Sequence, residues 1–332
     1  MGSKRDLRKR TESLPAVLNE FLLTISQEGK KDSTVEMYKN DLHLILKWLR
    51  QEGRIPQVIE KVADLSTSDL VDFLWTTRGE FRYAPATLKR MSYTIRHLLR
   101  YDGRSSPELE KAIQCFRREI STDLSENDVM SLKEFSHLVD VLRSEKGLSD
   151  YEALLHPLTK DRNIAIVTLM YKYGLSLQET ALLTMQDISF SANTLQINGD
   201  HKRMIHLNNE DKKLIYLYYK GIPHMVRPRL YSSNPMFISL DVNRKTFFWI
   251  YETNSPKQLS TRAIQLMIQK EMRRAGFPQE MSAQTLRNSF IVNVLLEGWT
   301  RKELMDYLGI QNATLDRYIR FAKHKTIKKA MD

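Results

Sequence analysis

Long amphipathic helices that begin at recognisable caps constrain this chain more than any other feature of its sequence. The box Ser33-Thr34-Val35-Glu36 has the pattern of a helix N-terminus, with a hydroxyl three residues before a carboxylate. Apolar side chains then recur at helical spacing and form one face: Val35, Tyr38, Leu42, Ile45, Leu46 and Leu49. A second helix of this kind is expected from Pro85 to Tyr101, with the apolar stripe Leu88, Met91, Ile95, Leu98 and Leu99. The sequence therefore predicts a mainly α-helical protein.

The chain is long enough for two helical domains. A single hydrophobic core usually stops growing before about 250 to 300 residues, and this chain has 332. Gly103 and Pro107 interrupt the helical pattern, and a new capping box, Ser131-Leu132-Lys133-Glu134, follows them. Between them, Leu109 to Ile120 is a candidate for a short helix. We therefore predict a basic arm at residues 1–12, a helical domain at 13–104, a linker at 105–128 and a second, α-rich domain at 129–332.

One part of the second domain changes to the two-residue period of a β-strand. Thr194 to Ile197 and Met204 to Leu207 flank the turn Asn198-Gly199-Asp200, which predicts a β-hairpin. Met236 to Leu240 is a further strand candidate. Helical patterns return over residues 260–276, 282–298 and 300–308. The second domain is therefore expected to combine helices with a small β-sheet.

Composition excludes several classes of protein. With 42% hydrophobic residues the chain can bury a core, so wholesale disorder is excluded. Its best apolar run, Ile164 to Met170, is far shorter than the roughly 18 residues that span a bilayer. Cys115 alone cannot form an internal disulfide, and the first residues lack the apolar region of a secretory signal, so we expect a cytoplasmic protein. Without a metal-ligand cluster, a Walker loop or a glycine-rich dinucleotide loop in the sequence, no metal and no cofactor are expected.

The charge balance favours a polyanionic partner. Lys and Arg number 51 against 40 Asp and Glu, a net charge of +11, which makes double-stranded DNA the leading candidate. On the helix from Pro85 to Tyr101 a separate face carries Lys89, Tyr93, Arg96 and Arg100. This stripe either contacts DNA or is a solvated surface. The basic arm leaves the same two alternatives open, a segment that follows a DNA groove or a solvated tail; its cations are Lys4, Arg5, Arg8, Lys9 and Arg10.

Two stretches of the second domain resemble the tyrosine recombinase family, also called the phage integrase family. Tyr171 to Ile188 (YKYGLSLQETALLTMQDI) is similar to the family's box I. Its box II is matched by three short segments: Gln284 to Phe290 (QTLRNSF), Leu308 to Ile310 (LGI) and Thr314 to Tyr318 (TLDRY). The resemblance implies a tyrosine recombinase-like fold in two domains, a helical core-binding domain followed by an α-rich catalytic-like domain with a small β-hairpin, both facing duplex DNA.

The resemblance also implies a chemistry. In this family a tyrosine attacks a DNA phosphodiester, two arginines hold the phosphate oxygens, a lysine on a β-hairpin protonates the leaving oxygen, and two His (or His and Trp) positions assist. Arg287 matches the second arginine and Tyr318 the nucleophile. The lysine is ambiguous, because Lys202 lies in the hairpin while a strict alignment of the second strand puts Asn198 at its position.

Three positions depart from the family's pattern. Ser176 stands at the first arginine, Gln284 at the first histidine and Ile310 at the second. The loss of one preorganised donor costs roughly 10²- to 10³-fold in rate, and the loss of an arginine of this type about 10³- to 10⁵-fold. Ser176 has a structural explanation of its own, since Ser176-Leu177-Gln178-Glu179 is a capping box. We therefore predict a catalytically inactive member of the family.

The expected function is sequence-specific DNA binding without strand cleavage, as a transcriptional repressor. In this respect the chain resembles the repressors of recombinase fold in SPbeta-type temperate prophages. The residues predicted to contact DNA are Lys89, Tyr93, Arg96, Arg100, Lys202, Arg203 and Arg287. Two other functions stay open: an active, divergent recombinase that relies on Lys202, Arg287 and Tyr318, and a non-catalytic subunit of a recombinase assembly.

Three further expectations concern single groups of residues. Arg287 either grips a phosphate or holds a helix through an internal carboxylate. Tyr318 has a packing role, as amphipathic tyrosines often do. The lysine-rich end resembles the family's C-terminal segment that docks on a neighbouring protomer, which implies self-association; its cations are Lys323, Lys325, Lys328 and Lys329.

Overall fold

The chain divides into two units, residues 1–122 and 123–332, each with its own core. The computed structural model describes residues 13–79, 83–120, 123–199 and 201–331, with side chains through 327 in the last helix. The predicted basic arm at residues 1–12 lies outside these ranges. The described residues are mainly helical, as predicted, with small antiparallel sheets in the second unit.

The described residues of the first unit form five α-helices. They are α1 (Ala16–Gln27), α2 (Asp32–Gln51), α3 (Thr67–Gly79), α4 (Pro85–Tyr101) and α5 (Pro107–Glu119). Both predicted apolar stripes are buried: α2 contributes Tyr38, Leu42, Ile45, Leu46 and Leu49, and α4 contributes Leu88, Met91, Ile95, Leu98 and Leu99. Helix α2 begins one residue before the predicted box, and its N-cap residue is Lys31. The hydroxyl of Ser33 is therefore inside the helix and does not cap it.

A buried carboxylate joins α2 to α4. Asp41 is 0% exposed, and the Arg90 guanidinium donates to both of its oxygens, with Nη2 at 2.6 Å from Oδ1 and Nε at 3.0 Å from Oδ2. The Thr94 hydroxyl donates to Oδ2 at 2.8 Å. Because a buried charge is tolerated when it is paired and fully hydrogen-bonded, these contacts fix the relative rotation of the two helices.

Most of the predicted linker over residues 105–128 belongs to the first unit instead. Pro107 starts α5, and the Ser106 hydroxyl caps it by accepting from the Leu109 amide at 3.2 Å. The apolar face of α5 joins the first core through Leu109, Ile113 and Phe116, with Ile120 just beyond the helix. The glycine and proline that suggested a linker mark the turn between α4 and α5, because a capped amphipathic helix follows them at once.

Within its described residues, the second unit contains eight α-helices and seven short strands. The helices are α6 (Leu132–Arg143), α7 (Asp150–Tyr173), α8 (Leu177–Leu182), α9 (Asn209–Gly221), α10 (Thr261–Arg274), α11 (Ala283–Leu296), α12 (Arg301–Leu308) and α13 (Asn312–Met331). The strands are β1 (Ile188–Ser189), β2 (Thr194–Ile197), β3 (Arg203–His206), β4 (Leu240–Asp241), β5 (Thr246–Phe247), β6 (Trp249–Ile250) and β7 (Ser255–Pro256). The three predicted C-terminal helices correspond to α10, α11 and α12.

Helix α7 is the centre of this unit. Its residues from Arg162 to Tyr171 are all buried, which is the pattern of a helix surrounded by others. Helices α6, α9 and α11 pack around it. Helix α7 ends at Gly174, which has φ of +68°, and a Cβ there would lie 2.4 Å from the Phe290 ring. Only glycine therefore fits this turn. Within the described ranges, no helix is long and apolar enough to cross a membrane.

The predicted β-hairpin is present. β2 and β3 pair antiparallel, with Leu195 opposite Ile205 and Ile197 opposite Arg203, and β1 adds a third strand beside β2. Leu195, Ile197 and Ile205 point into the core, and the two-residue period puts Arg203 on the same buried face. Of the predicted strand Met236 to Leu240, only its last residue is in a strand, although Ile238 also forms an isolated bridge to Gln258.

Candidate functional site

Ser176 caps a helix. Its hydroxyl accepts from the Glu179 amide at 3.2 Å, while Glu179 Oε2 accepts from the Ser176 amide at 2.7 Å. The predicted capping box at the start of α8 is therefore complete. Such a cap typically contributes about 1 kcal/mol to stability. The side chain at this position is neutral and turned to the backbone of its own helix.

Glu179 is the centre of a charged cluster that sequence reasoning treated only as part of a cap. Its Oε2 lies 3.0 Å from Nη1 of Arg287 on α11, and its Oε1 pairs with Nη1 of Arg203 on β3. The exposed fractions of the three side chains are 17%, 14% and 5% for Glu179, Arg287 and Arg203. One carboxylate thus joins the start of α8 to the hairpin and to α11.

The environment of the cluster shifts the pKa values of Glu179 and Arg287. Burial alone would raise the pKa of Glu179, but hydrogen bonds from Arg203 and the Ser176 amide, with the charges of both arginines, lower it to about 2. Burial lowers the pKa of Arg287, and the Glu179 charge opposes that effect. Arg287 pairs with an internal carboxylate, one of the two roles expected for it, and it keeps some exposed surface.

Arg203 differs from its predicted place. The sequence predicts that Arg203 contacts DNA, but its residue is 8% exposed and its guanidinium lies 5.2 Å from the ring of Tyr307. The reason is the strand period, because residue 203 faces the same way as the buried Ile205 and Leu207. That alternation is visible in the sequence and could have identified Arg203 as an inward-facing residue.

Tyr318 is buried and fully hydrogen-bonded. Its side chain is 2% exposed, and its hydroxyl donates to Asn288 Oδ1 at 2.8 Å and accepts from Arg317 Nη2 at 2.7 Å. The Arg317 guanidinium also lies over the ring, 4.7 Å from its centroid. Gln284 Nε2 donates to the same Asn288 oxygen at 2.9 Å. Gln284 and Tyr318 thus share one acceptor on α11, and the phenol packs in the core as expected.

Ile310 packs against an apolar cluster. It is half-buried beside a core that includes Phe290, Leu304, Leu308 and Leu315. A hydrocarbon side chain offers no donor or acceptor for proton transfer.

The two candidate positions for a hairpin lysine have different surroundings. Lys202 is exposed and immediately precedes the start of β3. Asn198 donates to Asp187 Oδ1 at 2.6 Å and holds the end of β2. His201, beside Lys202, brings the hairpin against α12: its Nε2 lies 2.6 Å from the Asp306 carbonyl oxygen. The Lys202 ammonium is therefore the available cation of this hairpin turn within the described residues.

The basic stripe of α4 is partly covered by α5. Arg96 Nε donates to Glu110 at 2.8 Å, and Arg100 Nη2 lies 3.7 Å from the same carboxylate. Tyr93 lies under the Arg117 guanidinium, 4.0 Å from its ring centroid. Lys89 is half-buried at the start of the stripe. Glu110 thus neutralises part of a charge that the sequence alone presented as free.

The C-terminal lysines lie on α13. Lys323 is exposed, and the Lys325 ammonium lies 5.5 Å from the Phe321 ring centroid. The side chains of Lys328 and Lys329 fall outside the described residues. Beside these lysines an apolar groove of about 380 Å³ is lined by Leu295, Leu296, Ile319, Ala322 and Ile327. In the part of the chain that the structure describes, no three His, Cys, Asp or Glu residues are grouped as metal ligands.

Comparison with known families identifies both units. Residues 148–325 match the Phage integrase family, and residues 18–104 match the Phage integrase N-terminal SAM-like domain. The chain belongs to the phage integrase family. The resemblance that the two boxes carried is thereby confirmed, and so is the expected fold.

Curated relatives in this family are named recombinases. Tyrosine recombinase XerC of Agrobacterium fabrum is 25% identical over 303 residues, covering 89% of this chain and 87% of the relative. Tyrosine recombinase XerD of Listeria innocua is 22% identical over 302 residues, covering 88% and 89%.

Solved structures show the same fold. The Tn1549 transposon integrase in complex with circular intermediate DNA superposes with a TM-score of 0.63 at 14% identity, covering 92% of this chain and 95% of that one. The XerH site-specific recombinase bound to a palindromic difH substrate superposes with a TM-score of 0.58 at 15% identity, covering 89% and 78%.

Proposed function

We propose that this protein binds duplex DNA at a specific sequence without cutting it, and that it acts as a transcriptional repressor of the kind found in temperate prophages. Its relatives are named recombinases, and two proteins of the same fold are described in complex with DNA. A net charge of +11 supports the same partner. A recombinase fold that no longer cleaves still has the surfaces with which to hold a site.

The proposed absence of cleavage rests on one observation: Ser176 and Tyr318 both have structural roles. The Ser176 hydroxyl is committed to the cap of α8, and a hydroxyl cannot neutralise a phosphate. The Tyr318 hydroxyl is held by Asn288 and Arg317 inside the core. Phosphoryl transfer depends on charge stabilisation and positioning, which a neutral side chain at 176 and Ile310 do not supply.

The experiment is a search for a covalent protein–DNA adduct. Genomic fragments that the protein retains are selected first, and the shared site is then built into nicked suicide duplexes that trap a tyrosyl phosphodiester. We expect a complex in native gels and no species that survives denaturant. A denaturant-resistant complex that forms with the natural chain and is absent in Tyr318→Phe would overturn the proposal.

An active, divergent recombinase is the second candidate. The retained Arg287 and Tyr318 favour it, and so do the names of the relatives. This candidate predicts the covalent adduct, so the same gel separates the two functions. A non-catalytic subunit of a recombinase assembly would form no adduct by itself, but it would alter recombination by an added active recombinase, which a repressor would not.

Self-association through the C-terminal helix is part of the proposal. The apolar groove beside α13 leaves Leu296 46% exposed and Ile327 60% exposed. Apolar side chains exposed together in a groove beside a lysine-bearing helix suit a contact with a second copy of the chain. Sedimentation velocity should show a dimer or higher species that Ile327→Lys dissociates; a monomer at every concentration would contradict this part.

A further inference from the structure

The cluster of Arg203, Glu179 and Arg287 contains one negative charge and two positive charges. Arg203 uses only one of its three guanidinium nitrogens for Glu179. Its Nε and Nη2 are buried and have no hydrogen-bond partner. Burying a guanidinium with unused donors costs free energy, and pairing its charge with a neighbouring carboxylate offsets that cost. The carboxylate in direct contact with it is that of Glu179.

Glu179 would otherwise weaken the attraction of Arg287 for any anion. Its carboxylate oxygen lies 3.0 Å from the Arg287 guanidinium, and a phosphate placed on Arg287 would be repelled by that carboxylate. The cluster attracts an anion only if a second cation balances Glu179. Among the ion pairs of the described residues, Arg203 is the cation other than Arg287 that contacts this carboxylate.

The two arginines differ in burial, as charge balance by one and anion binding by the other would require. Arg203 faces the core with 5% of its side chain exposed, under the ring of Tyr307. Arg287 is more exposed, at 14%, on α11. The buried arginine is therefore shielded from a large anion, while the other retains a surface that an anion can reach.

We propose that Arg203 is a positioning residue for phosphate binding by Arg287: it balances the charge of Glu179 from inside the hairpin, which leaves the charge of Arg287 free for a DNA phosphate. The inference rests on the proposed DNA binding and names how one of its contacts is maintained. With Glu179 at −1 and the arginines at +2, the cluster carries one net positive charge and takes one phosphate. The cluster thus supplies a positive charge that the neutral Ser176 does not, and Arg203 contributes to that charge without touching the DNA.

The test is the salt dependence of binding to a fluorescein-labelled 30-base-pair duplex of mixed sequence, followed by anisotropy over a series of KCl concentrations. Each neutralised phosphate contributes about −0.9 to the slope of log K against log salt. We expect Arg203→Met to flatten the slope by about the same amount as Arg287→Met, roughly one phosphate. Glu179→Gln keeps an oxygen for the cap and should steepen the slope or raise affinity.

The double variant Glu179→Gln with Arg203→Met is decisive, because it restores one net positive charge without the buried ion pair. The double variant should recover the salt-dependence slope of the natural chain. Arg203→Lys keeps the positive charge, so its slope should stay near the natural value even if its melting temperature falls. Arg143→Met is the control, since it removes the same charge from an exposed pair with Asp140, whose side chain is 68% exposed.

Several results would overturn the inference. An Arg203→Met variant that loses thermal stability but keeps the natural slope would make Arg203 only structural, and a double variant that stays as flat as Arg203→Met would exclude charge balance. If Arg143→Met flattened the slope as much as Arg203→Met, the change would reflect only the net charge of the protein. If the natural chain itself does not bind the duplex, the proposed function fails together with the inference. If it binds and forms a covalent adduct, the absence of cleavage fails but the role of Arg203 stands.

Discussion

Replacing Tyr318 by phenylalanine removes one hydroxyl from a buried network, and we expect a loss of stability without a loss of DNA affinity. The hydroxyl contacts Asn288 at 2.8 Å and Arg317 at 2.7 Å. Asn288 Oδ1 keeps the Gln284 amide at 2.9 Å, whereas Arg317, whose Nε already has no partner, loses a contact. With a net value of about 0.5 to 1.5 kcal/mol per hydrogen bond, the variant should lose about 1 to 2 kcal/mol. For a unit of this size, that lowers Tm by roughly 2 to 8 °C.

Calorimetry or circular dichroism gives Tm, and anisotropy with the protein's own selected site gives Kd. Because the Tyr318 side chain is 2% exposed, it offers almost no surface to DNA, so Kd should stay within about twofold by the usual size of remote effects. Tyr151→Phe is the control, since that exposed hydroxyl donates to the Val242 carbonyl and its loss should cost less. An unchanged Tm for Tyr318→Phe, or a tenfold or greater rise in Kd, roughly 1.4 kcal/mol, would refute the reasoning.

Three more predictions concern the packing and charge of the two units. Gly174→Ala should destabilise the second unit by about 3 kcal/mol or more in denaturant unfolding, since it combines left-handed strain with a clash, while Gly276→Ala, at a φ of +77° with open space, should cost only about 1 to 2 kcal/mol. The pKa of Glu179 is depressed to about 2, so the ionised carboxylate stabilises the fold fully above the unfolded pKa near 4.5, and this contribution is lost as pH falls through about 2. In Glu179→Gln the free energy of unfolding should therefore fall less steeply between these two pH values than in the natural chain. An equally steep fall in both proteins would contradict the assignment. Glu110→Gln should free the Arg96 guanidinium from its ion pair and steepen the salt dependence of duplex binding. An unchanged slope would show that the basic stripe of α4 is a solvated surface that does not contact DNA.

Local patterns made much of this fold readable from the sequence. The box at Ser131 and the one at Ser176 both form, because their hydrogen bonds close within four residues and need no distant partner. The hairpin also forms between the predicted strands, because a short turn brings the two strands together along the chain. The apolar stripes of α2 and α4 are buried as the helical period requires.

Contacts between distant segments could not be read in this way. Glu179 meets Arg203 and Arg287 across 24 and 108 residues, and no spacing rule reports such a contact. Glu110 reaches back to Arg96 over a turn that looked like the start of a linker. The identities of Arg287 and Tyr318 came from a resemblance, whereas the partners that define their surroundings came from the tertiary structure.

The cap at Ser176 also affects how this chain can change over generations. Arginine at that position would remove the hydroxyl that closes the first turn of α8, at a cost of about 1 kcal/mol, and would bring a third guanidinium toward a carboxylate that already pairs with two. Gln284 and Ile310 would remain, so this single substitution would lower stability without supplying the two histidines that the family pattern implies. Selection acting one substitution at a time would therefore disfavour arginine at this position, and the serine is held in place by its neighbours.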